Sequence, residues 1–377
     1  MTTDQATLDR VFMRQALALG ARGLGTTWPN PSVGAVVTRD TPDGPVVVAR
    51  GHTQPGGRPH GEANAFDRAG DAAAGGTLYV TLEPCSHRTI RAATPCVERT
   101  VLAGVTRVVA AMADPNPLFR GLGFALLRSA GLRVTTGVLE DEAQRSHRGH
   151  VLRVTQGRPT VTFKVARTAD GFAGGPGGAT LPVSCPAASA FVHLMRAHHD
   201  AIMLGIGSVL ADDPRLTVRL PGMASRSPIR IVLDSSLRLP LSSQLVRSAG
   251  EVPVWVIATE AASVAREAEL VAAGVEVMRV SAGEDRHLDL REALTLLGTR
   301  GLTRVFSEGG PTVGERLALA GLADEVVIST SPRRLDAPGV VAVRPGLAGL
   351  LADPDLYRLV ETDLVGCDRF EHFVRTA

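Results

Sequence analysis

Four residues near the start of the chain could do chemistry together: His60 and Glu62 in Pro59-His60-Gly61-Glu62, Cys85 in Glu83-Pro84-Cys85, and Cys96 in Pro95-Cys96. A neutral imidazole and two thiolates are borderline-soft donors suited to zinc. Three protein ligands leave the fourth tetrahedral position to water, the arrangement of a catalytic site. Two thiolates cancel the ion's formal charge, yet zinc lowers the pKa of a bound water to roughly 7 in favourable sites. Glu62, two residues past His60, can reach that water without being a ligand. Its work would be to take the water proton and pass it to a departing amine. The plainer alternative makes both cysteines small buried hydrophobes and His60 an ordinary loop residue. His52 and His87 are rival ligands, better read as substrate contacts or surface histidines.

The elements around these residues follow from apolar periodicity. The spacing predicts a helix over 8–23, short strands at 33–38 and 46–50, a helix over 61–73 and a strand at 77–82. A helix over 96–103, a strand at 105–113, a helix over 123–129 and a strand at 132–138 continue the alternation. The ligand groups therefore fall where a strand hands over to a helix, and a helix N-terminus favours the thiolate form of Cys85 and Cys96. Alternating strands and helices predict a layered α/β domain with a largely parallel sheet.

The stretch 143–159 is rich in Arg, His and Gly and marks a boundary, although its middle also fits a helix. It divides the chain into a domain over 1–148, a linker over 149–159 and a second α/β domain over 160–377. Strands are expected at 160–166, 201–204, 229–233, 252–258 and 304–306, and helices over 187–197, 262–273, 290–297 and 312–320. No repeat links the halves. No Gly-x-Gly-x-x-Gly follows a strand, so a Rossmann fingerprint is absent. Glu308-Gly309-Gly310-Pro311-Thr312 lies between a strand and a helix, where backbone N–H groups can approach a phosphate; a plain turn fits the same residues. Lys164 is the single lysine among the 40 basic residues; coding composition accounts for such a bias and leaves a chance survivor as one reading, a place where a guanidinium cannot substitute as the other.

Composition narrows the class. The length of 377 residues suggests two domains, and a formal charge of +2 opposes a strong electrostatic hold on nucleic acid or an anionic membrane. Aromatic residues at 4% leave little to stack on single strands. The polar, acid-bearing residues 1–10 do not read as a signal peptide, and the apolar stretch 201–211 stops at Asp212 and Asp213, short of a membrane span. A cytoplasmic protein is expected, in which Cys85, Cys96, Cys185 and Cys367 have little use as disulfides.

His-x-Glu with Pro-Cys-x-x-Cys is the signature of zinc deaminases, from which this chain departs by placing ten residues between its cysteines. In order, WPNPSVGAVV, RPHGEANAF, YVTLEPCSH, TPC and ADPNP closely resemble the deaminase half of the bifunctional bacterial riboflavin-biosynthesis deaminase/reductase family (RibD), which has a longer inter-cysteine loop. FKVARTADG, RAHHDAIMLGIGSVLADDPRLTVR, IVLDSS and SEGGPT resemble its reductase half, so the resemblance spans essentially the whole chain. It implies a cytidine-deaminase-like three-layer domain followed by a dihydrofolate-reductase-like α/β domain. The implied chemistry is zinc-dependent deamination of a diamino-ribosylamino-pyrimidinone 5′-phosphate, then NADPH-dependent reduction of its ribosyl group to ribityl.

The resemblance also implies roles. His60, Cys85 and Cys96 hold zinc, and Glu62 moves the proton. Asn30, His52, His87, Asp114 and Asn116 contact the pyrimidine substrate, with Arg88 or Arg91 at its phosphate. In the second half Lys164 and Glu308 form a polar pair near the sugar, where charge develops. Thr180, Arg196, Leu216, Arg219 and Glu308 contact substrate. Arg167, Pro182, Ser208, Asp212, Ser235, Gly310, Pro311 and Thr312 contact the cofactor. The chain departs from the family in having Gly61 for the usual Ala, a longer loop after Cys85, and Pro182-Val183-Ser184 in place of Trp-Ile-Thr, which removes an aromatic beside the cofactor. Two alternatives stay open: a deaminase with a degenerate reductase half, distinguished by NADPH titration, and a nucleic-acid deaminase, distinguished by salt-dependent RNA binding. Homo-oligomerisation is left open.

Overall fold

A computed structural model of the chain describes residues 4–86, 94–283 and 287–376. It divides into two compact units, Met1–Gly157 and Arg158–Ala377.

The first unit begins with α1 (Gln5–Ala21), whose N-cap Asp4 accepts the Ala6 N–H. Phe12, Met13, Ala16 and Leu19 recur at helical spacing and form its buried stripe. After β1 (Gly34–Thr41) and β2 (Gly44–His52) come α2 (Gly61–Ala69), β3 (Thr77–Val80), α3 (Cys96–Leu102), β4 (Arg107–Ala110), α4 (Leu122–Ser129) and β5 (Arg133–Thr136). Then α5 (Glu140–Ser146) and α6 (Arg148–Gln156) close the unit. Among the described residues five strands pair in the order β2-β1-β3-β4-β5. β3, β4 and β5 are parallel, but β1 is antiparallel to both its neighbours. The sheet is therefore mixed, not largely parallel, because β1 and β2 are joined by a tight turn that only antiparallel strands permit. α1 packs with α5, and α2, α3 and α4 pack in succession. Asp9 of α1 ties the helix to the sheet: both its oxygens receive Arg107 of β4, at 2.8 and 2.6 Å, and the Tyr79 hydroxyl of β3 donates at 3.1 Å.

The expected linker over 149–159 is instead mostly α6, inside the first unit. Val151 packs against the core, Arg153 donates to the Pro29 carbonyl at 2.9 Å, and Gly157 ends the helix with φ 72°. An amphipathic helix rich in Arg and His had the composition of a linker because its polar face lines a site, described below.

The second unit opens with β6 (Thr160–Arg167), β7 (Phe172–Gly174), α7 (Pro186–Ala197), β8 (Ala201–Gly205), α8 (Ile206–Asp212) and β9 (Ile229–Leu233). α9 (Gln244–Arg247), β10 (Val254–Thr259), α10 (Val264–Ala272), β11 (Glu276–Val280), α11 (Leu290–Thr299), β12 (Arg304–Ser307) and α12 (Pro311–Leu319) follow. The chain finishes through β13 (Glu325–Thr330), β14 (Val340–Val341), α13 (Pro345–Ala352), β15 (Tyr357–Val365) and β16 (Asp368–Arg375). Nine of these strands, among the described residues, form one sheet in the order β11-β10-β9-β8-β12-β6-β13-β16-β15. From β11 to β13 neighbours are parallel, and the C-terminal hairpin adds antiparallel strands. The chain leaves β8 toward β9 and leaves β12 toward β13, on opposite sides. A crevice must open between their carboxyl ends.

No helix among the described residues is long and apolar enough to cross a membrane. The start of β6 is anchored by a buried bidentate pair, Arg158 to Asp324 at 2.7 and 2.8 Å, and the Asp324 carboxylate also accepts the Val161 N–H at 2.8 Å. The side chains are 4% and 2% exposed. Replacing Asp324 by Ala strands the guanidinium without its counter-charge, so the second unit should lose about 3–5 kcal/mol, read from urea unfolding.

Candidate active sites

In the first unit, β2 delivers His60 to the N-cap position of α2, which places Glu62 in the first helical turn. The entry of α2 is tight: a Cβ at Gly61 would stand 2.5 Å from the Val33 carbonyl oxygen, so the backbones meet there because the residue is glycine. Cys85 follows β3, and Cys96 is the first residue of α3, its N–H donating to the Cys85 sulfur at 3.3 Å. His60 Nδ1 lies 3.6 Å from Cys85 Sγ and 3.4 Å from Cys96 Sγ. Donors bound to one tetrahedral zinc are about 3.6 Å apart when sulfur faces nitrogen. The set therefore fits zinc in chemistry and spacing.

The hydrogen bonds from Cys96 and His60 hold the Cys85 thiol well below its ordinary range. Glu62 is buried, and its Oε2 has no hydrogen-bond partner among the described residues. Burial pushes its carboxyl up to about 7, with Cys85 adding to the effect and His60 opposing it. An acceptor oxygen buried without a donor is what a site awaiting water or substrate presents.

A cavity of about 250 Å³ opens over these groups, lined by His60, Glu62, Cys85, Asn30, Asp114 and Asn116. Asn30 donates to the Gly57 carbonyl at 3.0 Å, and Asp114 accepts the Asn116 N–H at 2.8 Å. His52 does not line the cavity; its ring nitrogen sits 2.9 Å from the Thr53 carbonyl, and Thr53 takes the wall position. His87, Arg88 and Arg91 lie outside the described residues.

Sequence reasoning missed several lining residues, among them the basic side chains Arg58, His150 and Arg153. The last two come from α6, where His150 and Arg153 follow the N-cap His147 at three-residue spacing, a signal hidden by the assignment of 149–159 to a linker. Burial keeps the His150 imidazole neutral, its pKa lowered to about 3. Glu83 was also passed over. Its buried carboxylate accepts N–H groups from Asp114 (2.9 Å), Gly121 (2.9 Å) and Gly123 (2.8 Å), so it shapes the loop that carries Asp114 and Asn116.

In the second unit a cavity of about 580 Å³ occupies the crevice at the carboxyl ends of β8 and β12. Lys164, Thr180, Pro182, Arg196, Ser208, Asp212, Leu216, Glu308, Gly310 and Pro311, all residues to which the resemblance gives a role, line it. Glu308 takes a bidentate partner, but it is Arg196, at 2.6 and 2.8 Å, rather than Lys164. Arg196 and Lys164 together hold the Glu308 carboxyl below its usual range against burial. The Lys164 ammonium makes no hydrogen bond among the described residues, and burial lowers its pKa while Glu308 opposes that shift. Thr180 donates to Asp212 across the wall.

Four expected contacts lie off this wall. Arg167 is held by Thr330 and Glu371, the Ser235 carbonyl accepts from Thr259, Thr312 accepts from Arg344, and the Arg219 N–H faces His193. The donor set nonetheless fits a dinucleotide phosphate at one edge: Gly310 is the N-cap of α12 and Ser208 stands across from it, 3.5 Å from where a Cβ would be.

Residues 159–345 match the family model of the RibD C-terminal domain, and residues 6–112 match that of the cytidine and deoxycytidylate deaminase zinc-binding region. The chain is 37% identical to riboflavin biosynthesis protein RibD of Escherichia coli (strain K12), across 97% of this chain and 99% of that protein. It is 34% identical to riboflavin biosynthesis protein RibD of Aquifex aeolicus, across 86% and 87%. Among solved structures, Acinetobacter baumannii RibD superposes with a TM-score of 0.84 at 31% identity, covering 99% of this chain and 100% of that one. A Thermotoga maritima diaminohydroxyphosphoribosylaminopyrimidine deaminase/5-amino-6-(5-phosphoribosylamino)uracil reductase superposes with 0.82 at 28% identity, with the same coverage.

Replacing Glu83 by Ala leaves several buried N–H groups without an acceptor. The first unit should lose about 2–4 kcal/mol in urea unfolding, and ammonia release should fall while bound zinc is retained.

Proposed function

The chain belongs to the RibD family and is a bifunctional riboflavin-biosynthesis deaminase/reductase; from that premise we propose how its own residues divide the two reactions. His60, Cys85 and Cys96 hold zinc, and the substrate is a 2,5-diamino-6-ribosylamino-4(3H)-pyrimidinone 5′-phosphate. The observation that carries this reading is the convergence of those three donors beside a buried carboxylate oxygen that lacks a partner.

When bound, zinc supplies Lewis acidity that brings the pKa of a water to roughly 7. Glu62 takes the proton of the attacking water and returns it to the ring amine, which leaves as ammonia. Asn30, Asp114 and Asn116 orient the pyrimidine, and the Glu83-built loop keeps the last two in place. Arg58 and Arg153 offer guanidinium groups at the cavity wall for the phosphate.

In the second unit NADPH, when bound, supplies hydride. Opening the ribosyl ring leaves an oxygen that must take a proton, and Lys164 and Glu308 stand at the cavity wall to stabilise and protonate it. Arg196 orients Glu308 and remains available to the substrate phosphate through its remaining N–H groups. Gly310 and Ser208 receive the cofactor. The intact Arg196–Glu308 pair favours this reading over a degenerate second half.

Glu62→Gln should abolish ammonia release and leave NADPH oxidation with pre-deaminated substrate unchanged; loss of both activities in a folded variant would overturn the division of labour. Lys164→Met should do the reverse, lowering reductase turnover roughly 100-fold or more while zinc content and ammonia release stay at wild-type levels. Coupled assays on the two substrates read both outcomes.

A further inference from the structure

Cys185 and Cys367 take no part in either reaction, yet the fold brings them together. Cys185 is the N-cap of α7, its carbonyl accepting the Ser189 N–H at 2.9 Å. Cys367 is the second residue of the two-residue turn between β15 and β16, whose flanking residues Val365 and Asp368 pair. Gly366, with φ 63°, makes that turn and lets it lie against the helix: a Cβ there would stand 2.8 Å from Cys185 Sγ. Asp368 sits between the two thiols with no exposed surface. One of its oxygens accepts the Cys185 N–H at 3.3 Å and the other accepts the Cys367 S–H at 3.4 Å. No ion pair among the described residues involves Asp368. Its hydrogen-bond donors here are the neutral Cys185 N–H and Cys367 S–H, and the Lys164 ammonium acts on it only through space.

We propose that Cys185, Cys367 and Asp368 form a second cation site, structural in character, that takes a soft divalent ion of the zinc type and staples the β15–β16 turn to the start of α7. The donor atoms of all three lie within 4.8 Å of one another. Tetrahedral zinc separates two sulfurs by about 3.8 Å and a sulfur from an oxygen by about 3.6 Å, so little movement is required. The exchange balances: the ion enters as M²⁺, the two thiol protons leave to solvent, and two thiolates and one carboxylate oxygen bind, with water in the remaining position. The Cys185 N–H stays on the other Asp368 oxygen and fixes the carboxylate's orientation, as outer hydrogen bonds do at metal centres. Cys367 is exposed and Cys185 half-buried, so the ion has a route in from solvent.

The location gives the site a consequence. Pro182, Val183 and Ser184, directly before Cys185, line the reductase cavity, and α7 carries Ser189 and Arg196 to the same wall. An ion at the helix start would hold this wall against the C-terminal hairpin, and its binding free energy would add to the stability of the second unit.

The test uses the full chain, stripped of metal under reducing conditions, reloaded with Zn²⁺ and desalted before elemental analysis. Wild type should carry about one more ion per chain than Cys367→Ser, whatever the loading of the deaminase centre. Cys85→Ser should lose its ion at that centre and still gain melting temperature on Zn²⁺ addition, a gain that Cys85→Ser/Cys367→Ser lacks. Co²⁺ loading of Cys85→Ser should give a thiolate charge-transfer band that Cys185→Ala abolishes. Equal metal content in wild type and Cys367→Ser overturns the proposal. So does peptide mapping that finds a Cys185–Cys367 disulfide in freshly isolated protein carrying no additional ion.

Discussion

Parallel strands end on one edge of a sheet, and the side chains of both sites depend on that constraint. β3 and β4 run side by side, so Cys85 after one and Asp114 after the other emerge at the same edge, where His60 and Cys96 begin helices. In the second unit β8 and β12 end together, with α8 and α12 diverging to leave a crevice. The chemistry lies in the connections, and the sheets fix where those connections start. Substituting a strand residue would displace a site that it never touches.

Each unit answers the same electrostatic problem in its own way. Burying a charged group costs several kcal/mol unless a partner compensates it. The reductase cavity meets that cost with Arg196 and Glu308, which share two short hydrogen bonds next to Lys164. The deaminase cavity leaves Glu62 without a donor at one oxygen, open to water or substrate, and gathers His60 and two sulfurs beside it in the donor set of a zinc ion. Glu83, two residues before Cys85, is satisfied by backbone N–H groups alone. Two acidic residues of the same motif region thus differ in role because one is saturated with donors and the other is not.

The C-terminal hairpin extends this logic to the edge of the second sheet. β16 pairs antiparallel with β13, next to β6, which carries Lys164, so the last residues of the chain complete the sheet that carries the reductase cavity. Arg167 serves the same end: its bonds to Thr330 and Glu371 tie β6 to β13 and to β16.

Residue types and local spacing were enough to single out His60, Cys85, Cys96 and Glu62, which the fold brings together, and nearly every helix and strand around them. Ligand chemistry depends on donor atoms, and periodicity reports which face of an element is buried. Several outcomes required the fold. The partner of Glu308 is Arg196, the 149–156 stretch is a helix with its polar face on a cavity, β1 is antiparallel, and Ser235 and Thr312 point their hydrogen bonds elsewhere. Periodicity is a property of one segment, whereas these contacts join segments far apart in the chain. Which strands become neighbours is set by packing the whole sheet, and no local pattern encodes it.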